Sequence, residues 1–124
     1  MDVNTTRAAA FFTSTVTPGK TAPLLEAAAA VRHLSTLAFS EKGSRGHFWA
    51  PVSRATGSGS DGVQISAEKS FVTSAGHADG YVVSTLSTGA TQPIESTIYV
   101  VFRDDPGMTV SGAWKGLGLR GNDS

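Results

Sequence analysis

The chain has 124 residues, with 14 glycines, 5 prolines, no cysteine, and ten basic side chains balanced by ten acidic ones. A formal charge of zero leaves no basic surplus to release counterions from a phosphate backbone, which argues against nucleic acid as a partner. The lack of cysteine excludes disulfides, thiolate nucleophiles and Cys-ligated zinc or iron–sulfur sites, and the longest apolar run, Ala27-Ala28-Ala29-Ala30-Val31, is far shorter than the roughly 18 to 20 residues of a membrane span.

Residues 1–22, rich in Thr, Ala and Ser, read as a flexible lead-in whose landmarks are Phe11, Phe12 and a turn-like Pro18-Gly19. No basic cluster leads there into a long apolar core, so the expectation is a cytoplasmic protein without a signal peptide. Residues 23–35 predict one short helix. Leu24, Leu25, Ala28, Val31 and Leu34 fall at helical spacing, with Pro23 in the first turn and His33 near the end. Its alanines permit close packing on a neighbour, and a helix lying on its own domain would read the same way.

After residue 35 the period changes. The stretches 36–40, 52–56, 63–67, 69–74, 81–86, 96–102 and 108–113 are short β-branched or aromatic runs separated by turn residues. Residues 57–62, Gly-Ser-Gly-Ser-Asp-Gly, predict a hairpin tip, and Asp105-Pro106-Gly107 predicts a turn in which Pro presets φ and Gly accepts positive φ. The expected fold is therefore mainly β, an antiparallel barrel or sandwich of about seven short strands preceded by one short helix. Only 16 % of residues are charged, against roughly 25 % in an average soluble domain. Such a surface fits many short strands and turns, or faces covered by something else.

Two segments could carry chemistry. The loop Ala38-Phe39-Ser40-Glu41-Lys42-Gly43-Ser44-Arg45-Gly46-His47 leaves a strand with glycines that bare backbone amides, where an anion or carbonyl oxygen could dock. A solvated turn has the same composition, and the spacing is neither a phosphate loop nor a dinucleotide fingerprint. In Lys69-Ser70-Phe71-Val72-Thr73-Ser74, strand alternation puts Phe71 and Thr73 on one face and Val72 on the other. A ring beside a hydroxyl suits a planar polar heterocycle, although a core Phe beside a surface Thr gives the same pattern. His33, His47 and His77 lack partners at ligand spacing, so no metal site is expected. No Gly-x-Ser-x-Gly elbow is present and no catalytic residue is assigned. Trp49 and Trp114 read as packing anchors. Glu41 reads as a solvated carboxylate, because nothing nearby in sequence would raise its pKa.

Four motifs in order then carry a resemblance. Leu37-Ala38-Phe39-Ser40-Glu41-Lys42-Gly43-Ser44-Arg45-Gly46, Lys69-Ser70-Phe71-Val72-Thr73-Ser74-Ala75-Gly76, Asp105-Pro106-Gly107 and Leu117-Gly118-Leu119-Arg120-Gly121 resemble the middle β-domain of the acyl-CoA dehydrogenase family. That family shows a strand ending Thr/Ser-Glu-Pro-Gly-Ala-Gly-Ser-Asp, then Lys-x-Trp/Phe-Ile-Thr-Asn-Gly, a Pro-Gly turn and Leu-Gly-x-Arg-Gly. The resemblance implies a flavoenzyme in which a central β-barrel and a C-terminal helical bundle hold FAD between them. Residues 36–124 would be the middle domain, incomplete at its C-terminal end, and 23–35 a remnant of the N-terminal helical domain. Phe39 and Ser40 would hydrogen-bond the pyrimidine end of the flavin, and Phe71, Val72 and Thr73 would form its platform, Phe71 stacking and Thr73 bonding near N5 and O4.

The activity implied is fatty-acid-type oxidation of acyl-CoA thioesters at a CH–CH bond. An α-proton goes to a carboxylate base while a β-hydride goes to flavin N5. The base would come from the C-terminal helical domain, so the chain alone is expected to be inactive. Gly46 stands where the family has a Ser contacting acyl-CoA, with Ser44 the nearest hydroxyl to replace it. Lys42 stands for the usual Pro and His47 for the usual Asp, which implies a divergent subfamily. Homo-oligomers are implied for the full-length enzyme. Two alternatives stay open, the same barrel in a flavin monooxygenase or nitroalkane-oxidase-like relative, and a stand-alone β-domain that binds a ligand or partner without catalysis.

Overall fold

The structure is a computed structural model that describes residues 2–5, 9–10, 18–44, 47–57, 62–112 and 117, with side chains from residue 23 onward. In chain order the elements are β1 (Asp2–Thr5), β2 (Ala9–Ala10), α1 (Pro18–Ala29), β3 (Ser35–Ala38), β4 (Arg54–Thr56), β5 (Gln64–Glu68), β6 (Gly80–Leu86), β7 (Ser96–Phe102) and β8 (Met108–Thr109). The strands join in the order β2-β7-β6-β4-β5-β1-β8, with β3 also on β6, and the sheet curls into a half-barrel.

The β-branched and aromatic run Tyr81-Val82-Val83-Ser84-Thr85 forms β6, whose side chains are buried on both faces. It pairs antiparallel with β7 from Gly80↔Phe102 to Leu86↔Ser96. Tyr81, Val83, Tyr99 and Val101 point into the core with Ala38, Ile65 and Val72. On β5 the burial alternates strictly, Ile65 and Ala67 inward and Gln64, Ser66 and Glu68 outward.

The mainly β architecture with one short helix is the expected one, but the sheet is mixed. β3 runs parallel to β6 from Ser35↔Gly80 to Ala38↔Val83. Parallel pairing needs a long crossover, and the chain between β3 and β6 supplies it with β4 and β5. Two strands lie within residues 1–22: β1 pairs with β5 and β8, and β2 with β7. The predicted strand at 69–74 is absent. Phe71 and Ser74 have φ of 54° and 55°, outside the extended region that a strand requires.

The helix also shifts. It begins at Pro18, which takes the first-turn position, and Pro23 lies inside it. It stops at Ala29, because Val31 turns left-handed at φ 55°. Val31 N–H donates to the Ala28 carbonyl (3.0 Å) and Arg32 N–H to the Ala27 carbonyl (2.8 Å), the paired bonds of a Schellman ending. Val31 is 93 % exposed and Leu25 and Leu34 are exposed as well, so the apolar stripe read from the sequence is not covered by the sheet.

The chain leaving the helix is pinned to the sheet. Asp79 N–H and Gly80 N–H donate to the Leu34 carbonyl (2.8 and 3.2 Å), and Leu34 N–H donates to Asp79 Oδ2 (2.8 Å). A Cβ at position 80 would sit 2.8 Å from His33 Nε2, so a larger residue there would displace that imidazole from its 2.9 Å bond with the Ser35 hydroxyl.

Candidate functional site

The parallel pairing of β3 with β6 brings the end of β3 beside the loop that precedes β6. Between them lies a cavity of about 450 Å³ lined by Ser35, Thr36, Leu37, Phe39, Ser40, Phe71 and Thr73. Four of the five residues expected to bind a cofactor, Phe39, Ser40, Phe71 and Thr73, therefore meet at one wall. Val72, the fifth, is buried, and its side chain belongs to the core. The alternation of Phe71 and Thr73 against Val72 survives without a strand, because the loop is anchored at its middle by Val72.

Two bonds tie the lips of the cavity to each other. Ser70 N–H donates to the Ser40 carbonyl at 2.9 Å, and the Thr36 hydroxyl donates to the Thr73 carbonyl at 2.6 Å. The loop behind is folded on itself, Ala75 N–H on the Val72 carbonyl (3.2 Å) and His77 and Ala78 N–H on the Ser74 carbonyl (2.9 Å each). Tyr81, fully buried beneath it, donates its hydroxyl to the Ala75 carbonyl at 2.6 Å. The left-handed backbone at Phe71 turns its ring outward, 70 % exposed. A bulky residue held in that conformation is an outlier of the kind that clusters at ligand sites. The hydroxyls of Ser40 and Thr73 have no hydrogen-bond partner among the described residues. An exposed aromatic side chain beside two hydroxyls is the kind of set a planar, polar heterocycle would use.

A second aromatic surface starts at this wall. Phe39 packs on Phe48 (5.4 Å between centroids), Phe48 meets Trp49 edge to face (5.0 Å), and Trp49 stacks on His47 (4.9 Å). Trp49, expected to be a packing anchor, packs on Phe48 and His47 while half exposed and outside the core cluster.

Behind the lips lies the pair Glu41 and Lys69, which the sequence reading left out. Glu41 is not solvated. It is 6 % exposed and Lys69 is 1 % exposed. Lys69 Nζ donates to Glu41 Oε1 and to the Ser84 carbonyl, each at 2.5 Å. Glu41 also accepts from Val52 N–H (2.6 Å), Ser53 N–H (3.1 Å) and the Ser53 hydroxyl. Burial alone would raise the Glu41 pKa, but the bonds from Lys69, Ser53 and Val52 outweigh it and hold the carboxyl below its ordinary value. Burial pulls the Lys69 ammonium below its own ordinary value, with Glu41 opposing. The signal was present in the alternation: Lys69, one residue past the end of β5, continues the inward phase of Ile65 and Ala67, and a lysine in that phase needs a buried acceptor.

Of the expected substrate residues, Ser44 is buried and its hydroxyl faces the Glu41 carbonyl at 3.5 Å, away from the cavity lining. Gly46 lies outside the described residues, as do Trp114, the hairpin tip at 58–61 and most of the Leu-Gly-x-Arg-Gly motif. Among the described residues no helix is long and apolar enough to cross a membrane, and no cluster of His or carboxylates could hold a metal ion.

The family model described as acyl-CoA dehydrogenase, middle domain, matches residues 36–124. The chain is also similar to the amino sugar nitrososynthase DnmZ of Streptomyces peucetius, with 39 % identity over 61 residues, a stretch that covers 49 % of this chain and 15 % of that relative. No solved structure matches it.

Proposed function

The chain belongs to the acyl-CoA dehydrogenase family through its middle domain, and from that premise we propose that the cavity walled by Phe39, Ser40, Phe71 and Thr73 binds the isoalloxazine of FAD. The observation that carries this is the meeting, at one cavity, of the exposed Phe71 side chain with the Ser40 and Thr73 hydroxyls, which have no hydrogen-bond partner among the described residues. Phe71 offers the stacking face, and Thr73 and Ser40 offer hydrogen bonds to the heteroatoms along the flavin edge. Val72 contributes through its main chain only. Bound there, FAD supplies an acceptor for a hydride or, once reduced, a reductant for oxygen.

For the substrate, the family supports acyl-CoA thioesters oxidised at a CH–CH bond. Among the described residues the cavity wall carries no carboxylate, and Glu41 is committed to Lys69, so under this reading the proton-abstracting base comes from outside this wall. A second reading is favoured by the similarity to the nitrososynthase: the same platform in an enzyme that oxygenates the nitrogen of an amino sugar. Under it, reduced flavin and oxygen replace the thioester and base.

Titration of the wild-type chain with FAD, followed by flavin absorbance and fluorescence, tests the platform. Phe71→Ala and Thr73→Ala are each expected to weaken binding by about tenfold, an alanine truncation at a stacked base typically costing ~1–3 kcal/mol. Wild-type affinity in both variants, or no binding by the wild type, overturns it. In a complete enzyme, reduction of bound FAD by an acyl-CoA under anaerobic conditions favours the first chemistry, and oxygen uptake driven by an amino sugar favours the second.

A further inference from the structure

Glu41 and Lys69 stand at matching places in the two lips of the cavity. Glu41 directly follows Phe39 and Ser40, and Lys69 directly precedes Ser70 and Phe71. Neither lines the cavity, and both are buried behind it. Their bond at 2.5 Å runs parallel to a main-chain link between the same segments, Ser70 N–H to the Ser40 carbonyl at 2.9 Å. The pair is also tied to two strands, Lys69 to the Ser84 carbonyl on β6, and Glu41 to Ser53 and Val52 at the entrance of β4. The ion pair thus refers the spacing between Phe39-Ser40 and Phe71 to β4 and β6, beside the bond from the Thr36 hydroxyl of β3 to the Thr73 carbonyl.

We propose that the Lys69–Glu41 pair is a positioning device that sets the separation of the two lips, so that flavin affinity depends on it although neither side chain touches the flavin. The functional half of this rests on the flavin assignment above; the mechanical half does not. A ligand gripped between two loops is sensitive to displacements of an ångström or less. Two charges fastened in a buried site with further hydrogen bonds have one favourable geometry, whereas apolar side chains of the same size would allow several.

The test uses the whole chain and two substitutions. Lys69→Met removes the cation and leaves Glu41 its three other donors. Glu41→Asp keeps both charges but withdraws the carboxylate by one methylene. Amide hydrogen exchange of Ser70 reports the link between the lips, the amides of the β6–β7 ladder report global opening, and FAD titration reports the function. In both variants the protection of Ser70 is expected to fall at least about tenfold further than that of the ladder, whose own fall reports the global loss of stability, and the FAD Kd is expected to rise roughly tenfold to a hundredfold.

Unchanged Ser70 exchange, a loss of Ser70 protection only in step with the ladder, or an unchanged FAD Kd overturns the proposal. So does a Glu41→Asp chain that does not fold, since the pair would then support the whole fold. Should Lys69→Met alone fail to fold, Glu41→Asp decides. Failure of the wild type to bind FAD strikes the flavin assignment, and the exchange measurement still decides the positioning role.

Discussion

β6 and β7 are joined main chain to main chain over seven residue pairs, whereas the segment directly before β6, residues 69–79, is held by isolated main-chain bonds at its ends (Ser70 to Ser40, Asp79 to Leu34 and Arg103) and by side chains. Lys69 reaches Glu41 and Ser84, Thr36 reaches Thr73, Tyr81 reaches Ala75, and Arg103 reaches Ala78. A backbone ladder is indifferent to most side-chain exchanges that keep volume and β-propensity. A loop hung on individual side chains is not, because a deletion at Lys69 or Tyr81 strands a buried group. The hairpin is the scaffold, and the loop trades that tolerance for the freedom to present Phe71 and Thr73 outward.

The largest contrast is expected at the ion pair. Glu41→Gln leaves the Lys69 ammonium buried against a carbonyl and a neutral amide, and removing one partner of a buried pair costs about 3–5 kcal/mol. Lys69→Met is expected to cost less, since Glu41 keeps three donors. Urea unfolding of the two variants beside the wild type gives both values. A ranking with Lys69→Met the more damaging would show that the ammonium, not the carboxylate, carries the site.

The same pair sets an acid limit. The Glu41 pKa is depressed in the folded chain, so its contribution is fully present above the unfolded carboxylate value near 4.5 and is lost as pH falls through the folded value. Unfolding free energy measured between pH 7 and pH 3 is expected to fall with acid, and Glu41→Gln is expected to flatten part of that slope. An equal slope in wild type and variant would assign the acid sensitivity to other carboxylates.

Tyr81→Phe tests the next tie. It keeps the packing and leaves the Ala75 carbonyl without its 2.6 Å donor, which is expected to cost about 1–3 kcal/mol. A Val→Ile exchange in β6 or β7 serves as the ladder's counterpart. A Tyr81→Phe cost near zero would mean that the loop does not depend on its side-chain anchors.

Much of the scaffold was legible because it obeys simple periods. β7 begins and ends where its β-branched run does, and β6 differs by one residue. The loop was misread as a strand because Phe71, Val72 and Thr73 are strong β-formers; what overrides them is tertiary, the burial of Lys69 on one side and of Val72 and Ala75 on the other. The site was legible for a different reason, since the inward position of Val72 forces its neighbours out whether the backbone is a strand or a turn. Two things could not be read locally. The parallel pairing of β3 with β6 joins residues about 45 positions apart, and the partner of Lys69 lies 28 residues upstream.

The smallest effect expected comes from two residues that share one backbone conformation in the two kinds of region. Val31 ends the helix and Phe71 presents the cavity wall, both with φ near 55°, where a non-glycine residue is strained by about 1–2 kcal/mol. Glycine relieves the strain but loses more entropy on folding, so a net gain of about 0.5–1 kcal/mol is expected for Val31→Gly, whose side chain is 93 % exposed and leaves nothing to unpack. Phe71→Gly relieves the same strain and is expected to stabilise the apo chain by no more than that while abolishing the stacking face. If the ring is held for a ligand and not for packing, thermal melts of the two variants rise together and only Phe71→Gly loses flavin. A destabilised Phe71→Gly would instead mean that the ring, though exposed, packs well enough to hold the loop.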